Sequence, residues 1–179
     1  MTKTRLEAFS DGVLAIIVTI MVLEIKVPHE ATMEALLKLW PVFLSYMMSF
    51  TFIGIYWGNH HHLLHTVHHV NGNIIWSNMH LLFWLSLVPF TTGWMGENHF
   101  EQLTVALYSV NLLLCAVAFY FLQWTIMKHY QLPEKLVAAL KKQQKKGYVS
   151  LISYIVAVIA AFIQPAISGI IIWVLPLFG

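Results

Sequence analysis

From Leu103 to Met127 the chain runs 25 residues without an Asp, Glu, Lys or Arg. Wound as an α-helix, such a run is about 37 Å long, and the hydrocarbon core of a bilayer is about 30 Å thick. The run has company. Leu39 to Gly58 is another 20 uncharged residues, and Tyr148 to Gly179 is 32 more. A soluble domain carries about 25% charged residues, whereas this chain of 179 residues has 10% charged and 59% hydrophobic residues. Its polar side chains are too few to cover a water-exposed surface. These features exclude a soluble globular protein and predict an all-α integral membrane protein. At about 20 residues per crossing there is room for about six spans and no aqueous domain.

The punctuation of the sequence divides the single domain, 1–179, into helices near 4–27, 36–62, 73–95, 101–128, 148–163 and 166–178, with a basic segment at 128–146. Lys3 and Arg5 ahead of an apolar stretch resemble the start of a signal peptide. Asp11 at the head of that stretch, and Val22-Leu23-Glu24-Ile25 at its end, offer no cleavable small-residue site, so it reads as a retained first span. Its uncharged centre, Gly12 to Leu23, is only 12 residues long. Asp11 and Glu24 therefore belong near the interfaces or against protein. The last apolar run would be about 48 Å as one helix, and Gln164-Pro165 is the natural break. With the N-terminus inside, Lys3, Arg5 and six lysines between 128 and 146 are cytoplasmic, eight cations against Lys26 and Lys38 outside. That asymmetry places both termini in the cytoplasm. The lysine cluster Lys141, Lys142, Lys145 and Lys146 reads as a solvated loop or short surface helix, with anionic headgroups as its second reading; lacking interleaved aromatics, it is not a nucleic-acid site. A lone Cys115 gives no disulfide framework. No internal repeat is visible, so a pathway would have to come from oligomer symmetry.

Three groups of residues could carry chemistry. The first is Arg5, Glu7, Phe9, Ser10 and Asp11, at the entrance to the first span. An ionisable group there needs a partner, and Arg5 and Asp11 point about 120° apart on a helix, so they do not pair with each other. Trp57, His60, His61, Asn78 and His80 are candidates on other helices. The second is Ile16, Thr19, Ile20 and Leu23, which share one face; Thr19 is the only polar side chain between Asp11 and Glu24, and its hydroxyl can equally turn back onto its own helix. The third is the run His60 to His69. His61, His65 and His68 share a face and could bind zinc or copper, and His65-x-x-His68-His69 looks like one box of the membrane di-iron desaturases. Those enzymes need several boxes, and no acid cluster supplies the deficit. Phosphate-binding, nucleophile and dinucleotide motifs are absent, as is the Thr-Val-Gly-Tyr-Gly filter of pore-loop potassium channels. No enzyme activity, cofactor or metal site is expected, with His61, His65 and His68 as the weak metal alternative.

Arg5-Leu6-Glu7-Ala8-Phe9-Ser10-Asp11-Gly12 resembles the Arg-x-x-x-Phe-Ser-Asp signature that opens the first helix of the transmembrane protein 175 family of cation channels. The likeness continues in Ile53-Gly54-Ile55-Tyr56-Trp57-Gly58-Asn59-His60-His61 and from Leu87-Val88-Pro89-Phe90 to Gly96-Glu97. It covers much of the first four helices, and the last two match only in hydropathy. The resemblance implies a bacterial, single-repeat chain assembling as a homotetramer in the cytoplasmic membrane, with helix 1 lining a central potassium-preferring pore. It further implies hydrophobic constrictions at Ile16, Ile20 and Leu23, a selectivity ring at Thr19, and a structural network of Arg5, Phe9, Ser10, Asp11, Trp57, His61 and Asn78. Its partners would be other copies of itself, the lipid bilayer and permeant monovalent cations, K+ above all. The rival readings are a proton-coupled transporter or proton pathway relaying through Asp11 and His60, His61 or His80, and a metal-dependent membrane enzyme on the histidine run, which is itself unusually rich for the family.

Overall fold

Proline and polar side chains decide where the apolar runs become separate helices. The computed structural model describes residues 1–129 and 134–174, and all regular structure among them is helical. The elements are α1 (Lys3–Leu23), α2 (Met33–Leu37), α3 (Trp40–His65), α4 (Gly72–Ser86), α5 (Val88–Glu97), α6 (Gln102–His129), α7 (Glu134–Ile163) and α8 (Pro165–Val174). Three stretches are long and apolar enough to cross a membrane by length and composition: Lys3–Leu23, Gly72–Glu97 and Gln102–His129. At 26 residues α3 has the length as well, but serines and C-terminal histidines dilute its apolar character.

Several boundaries differ from those read in the sequence. The first helix stops at Leu23 rather than near 27, with Glu24 as its C-cap; the residues ahead of Pro28 leave the helical region, as proline disfavours that conformation in the residue before it. The second expected span, 36–62, is a short α2 followed by α3. Pro41 falls in the first turn of α3, where its missing N–H costs nothing, whereas an unbroken helix would drive its ring into the carbonyl of Leu37. Thr32 caps α2, its hydroxyl accepting from Ala35 N at 3.2 Å. Pro89 has the same effect on the third span, which divides at Leu87 into α4 and α5. The fifth helix starts at Glu134, not 148. The described part of the basic segment is thus the first half of a 30-residue helix, laid against α6: the Tyr120 hydroxyl donates to the Gln144 carbonyl at 3.1 Å and Gln123 Nε2 to the Leu140 carbonyl at 3.3 Å. Residues 130–133 of that segment, and 175–178 of the sixth expected span, lie outside the described residues.

The core gathers around α6, which packs against α4, α5, α7 and α8, while α1 lies across α3, α4 and α5. Leu112, Cys115, Ala118, Leu122 and Ile126 are buried along α6. Hydroxyl pairs join the helices where hydrocarbon packing alone would leave polar atoms stranded. Ser49 bonds Thr92 at 2.6 Å and Tyr108 at 2.9 Å, and the Ser77 hydroxyl donates to Thr125 at 3.1 Å. No buried side-chain nitrogen or oxygen among the described residues lacks a partner. At the other end of the molecule α5 closes on α3 through Gly96, where an added Cβ would stand 2.5 Å from Ser45 Oγ and 2.8 Å from the Val42 Cα. Only glycine fits so near a backbone.

Candidate functional site

The site is built on α1, whose two faces meet different surroundings. Leu6, Ser10, Leu14, Ile17 and Met21 are all buried, and their spacing of four, four, three and four residues makes one continuous face. At about 100° per residue, Thr19 falls roughly 180° from the middle of that face. Thr19, Ile16, Ile20 and Leu23 are exposed, Ile16 at 57%, Ile20 at 40% and Leu23 at 77%. This exposed stripe is aliphatic apart from Thr19. By contrast, the exposed apolar positions of α3 to α6 include Phe50, Trp57, Trp76, Phe83, Phe121 and Trp124.

Polar contacts pin the packed face. Ser10 is fully buried; its hydroxyl donates to the Leu6 carbonyl at 2.8 Å and accepts from Asn78 Nδ2 at 2.9 Å. The other end of the same amide, Asn78 Oδ1, lies 2.6 Å from His60 Nε2. Because the amide nitrogen is committed to Ser10, its oxygen must accept, so His60 carries its proton on Nε2. One residue further along α1, the half-buried Asp11 accepts from the Trp57 indole at 2.9 Å. Helix α1 is thereby tied to α3 through Asp11 and Trp57, and to α4 through Ser10 and Asn78, with His60 of α3 closing the network. At its far end, Lys26 beyond the C-cap forms an exposed ion pair with Glu97 at the end of α5. The neighbouring Glu97 carboxylate raises the Lys26 pKa above its ordinary value.

Two grooves flank α1. One, of about 570 Å³, runs between α1 and α3 and is lined by Asp11, Ala15, Val18, Thr19, Gly54 and Trp57 among others. The second, of about 490 Å³, runs between α1 and α5 and takes in Ile16, Ile20, Glu24, Phe90, Trp94 and Glu97. The Thr19 hydroxyl donates to the Ile16 carbonyl at 2.9 Å. That bond uses its proton and leaves its oxygen lone pairs available on the exposed face.

Of the network expected from the sequence, Ser10, Asp11, Trp57 and Asn78 come together. Arg5 is exposed, as is Phe9 at 48%. The bond to Asn78 comes from His60, while the exposed His61 lies against the Trp57 ring with centroids 6.1 Å apart. His80 turns to Trp84, whose indole donates to it at 2.9 Å, and to Phe121. No three metal-ligating side chains converge among the described residues. The set of His61, His65 and His68 is therefore not assembled: α3 ends at His65, with Thr66 as its C-cap, and His68 lies beyond the helix. The Lys26–Glu97 pair and the contact of Lys3 with the His65 carbonyl, at 3.1 Å, were not foreseeable from sequence, since each joins residues more than 60 positions apart with no shared motif.

A bundle of long apolar helices with buried hydroxyl and amide links between them is the architecture of a membrane protein. The comparisons give the family. The sequence model described as "Endosomal/lysosomal potassium channel TMEM175" matches residues 5–89. A potassium channel of Chryseobacterium sp. (strain P1-3) is 47% identical over 98% of this chain and 94% of its own length. The crystal structure of a lysosomal potassium-selective channel TMEM175 homolog from Chamaesiphon minutus superposes with a TM-score of 0.86 at 30% identity, covering 98% of this chain and 95% of the other. The human endosomal/lysosomal proton channel TMEM175 is 30% identical over 70% of this chain, which spans only 28% of that longer protein. The chain belongs to the TMEM175 family, a family of membrane channels rather than enzymes.

Proposed function

We propose that the protein is a potassium-preferring cation channel, assembled as a homotetramer in a bacterial cytoplasmic membrane with both termini in the cytoplasm, and that the exposed face of α1 lines its central pore. The observation that carries this reading is the division of α1: a face pinned by Ser10, Asp11 and their partners, opposite a bare aliphatic face with Thr19 at its centre. The potassium channels among its relatives, one of them matching end to end, support the choice of ion.

In such a pore, rings of Ile16, Ile20 and Leu23 offer a cation nothing in place of its water and close it by dewetting when narrow. Opening means widening those rings. Potassium sheds water more cheaply than sodium, so a partly open ring favours it, and the Thr19 oxygens supply ligands to a partly stripped ion. The network of Ser10, Asp11, Trp57, His60 and Asn78 holds α1 at a set distance from α3 and α4 and so fixes the diameter. A proton relay from Asp11 through the membrane histidines is less well supported. Asp11 bonds to an indole, which can donate but has no lone pair with which to pass a proton on, and His80 is engaged elsewhere.

The test is the reversal potential of the purified protein in planar bilayers under a potassium/sodium bi-ionic gradient, for wild type and Thr19→Ala. A potassium-side reversal that moves toward zero in the variant is the expected result. Wild-type current without potassium preference would overturn the proposal.

A further inference from the structure

The histidines at the end of α3 are not used up by the pore reading. His60 is buried in the α1 network, but His61 and His65 are exposed, one helical turn apart on the same face. Their rings stack with centroids 6.0 Å apart and planes 21° from parallel. Two imidazoles at i and i+4 on a helix form the spacing through which helices grip zinc, and imidazole suits zinc, nickel and copper(II) rather than magnesium or calcium. The distance can be checked against coordination geometry. An imidazole nitrogen sits about 1.1 Å from its ring centre and about 2.0–2.1 Å from a bound zinc, so two rings sharing one ion have centres at most about 6.4 Å apart. The observed separation lies inside that limit, and the roughly 5.2 Å of tetrahedral coordination is reached by small adjustments of χ1 together with rotation about χ2, a soft torsion in histidine.

The neighbours of the pair hold it in place. His61 rests against Trp57, whose indole is fixed by Asp11 of α1. His65 accepts on its carbonyl from Lys3, and its Nδ1 lies 3.4 Å from the same ammonium. Lys3 has a second partner in Glu7, at 3.7 Å, toward which it can move if a cation arrives at His65. His62 is as near to His61, at 5.9 Å, but its ring is edge-on at 63°, and adjacent side chains on a helix diverge by about 100°.

We propose that His61 and His65 together bind one transition-metal dication of the zinc, nickel or copper(II) class, with water completing the coordination, where the end of α3 meets the start of α1. Both imidazoles must be neutral to bind it, so binding is lost in acid. The site does not depend on conduction, and its test does not measure current. The full chain, purified without a histidine tag, is titrated calorimetrically with nickel chloride and with zinc chloride at neutral pH. Saturable uptake of one ion per chain is expected with at least one of the two metals, and none with magnesium chloride. His61→Asn and His65→Asn each weaken uptake by at least about tenfold, as the loss of a ligand demands, while His62→Asn and His68→Asn leave it unchanged. The absence of saturable binding, binding that survives both the His61 and His65 substitutions, or equal loss in His62→Asn or His68→Asn overturns the proposal.

Discussion

On one face of α1, Leu6, Ser10, Leu14, Ile17 and Met21 are buried against α3, α4 and α5; on the other, Ile16, Thr19, Ile20 and Leu23 stand exposed in the single chain. The packed face holds its polar groups in bonds that satisfy every buried atom, and its register is set by two side chains, Ser10 and Asp11, that reach different helices. The bare face carries one polar group whose proton is already spent on its own backbone. The difference teaches that hydropathy does not separate these faces, since both are apolar. What separates them is where polar side chains find partners.

Substitutions on the packed face have the largest expected effect. Asn78→Leu strands the His60 imidazole and cuts the link to Ser10, whose hydroxyl keeps only its bond to the Leu6 carbonyl; a buried group left unpaired costs about 1–3 kcal/mol, with links between membrane helices toward the lower end. Thermal unfolding of the detergent-purified protein should show the drop, and an unchanged midpoint would mean that the network is not what positions α1. Trp57→Phe removes one donor from the partly exposed Asp11 and is expected to cost about 1 kcal/mol, visible in the same assay as a smaller shift. Thr19→Ala, on the bare face, is predicted to leave stability within about 0.5 kcal/mol while reducing the potassium-over-sodium preference. A stability loss comparable with that of Asn78→Leu would erase the contrast between the faces.

The smallest effect belongs to Lys26→Gln. Glu97 raises the Lys26 pKa above 10.5, so the folded state binds that proton more tightly than the unfolded chain does. The stabilisation is therefore fully present below the unfolded pKa and lost as pH rises through the folded one. Wild type and variant should differ by a small, constant amount across neutral pH, and the difference should fade above about pH 10.5 and in high salt. A difference that grows with alkalinity would contradict the ion pair.

Much of this was legible in the residues themselves. Long uncharged runs announce membrane helices because lipid tolerates little else, and the polar residues opening the first helix called for partners among Trp57, His60, His61, Asn78 and His80, of which Trp57 meets Asp11 and Asn78 meets Ser10. The choice of His60 over His61 was not legible: both are histidines of one run, and only the rotation of α3 about its axis decides which one faces Asn78. The helix ends at Pro41 and Pro89 are hidden in the sequence, since hydropathy continues where the backbone cannot. The start of α7 was hidden for the opposite reason. Its lysines read as a solvated loop or a short surface helix, and it continues as one long helix because Leu140, Gln144 and their partners on α6 hold it there.

The central claim is that the bare face of α1 faces ions rather than lipid. Because Cys115 is buried, a cysteine placed on the surface would be the reactive thiol. The decisive measurement is the current through Ile20→Cys channels during exposure to a membrane-impermeant, charged thiol reagent, beside Ile159→Cys on the exposed face of α7. Rapid block at Ile20→Cys, slowed by permeant potassium, with Ile159→Cys unaffected, is the predicted result. Full modification at Ile20→Cys with undiminished current would contradict the account.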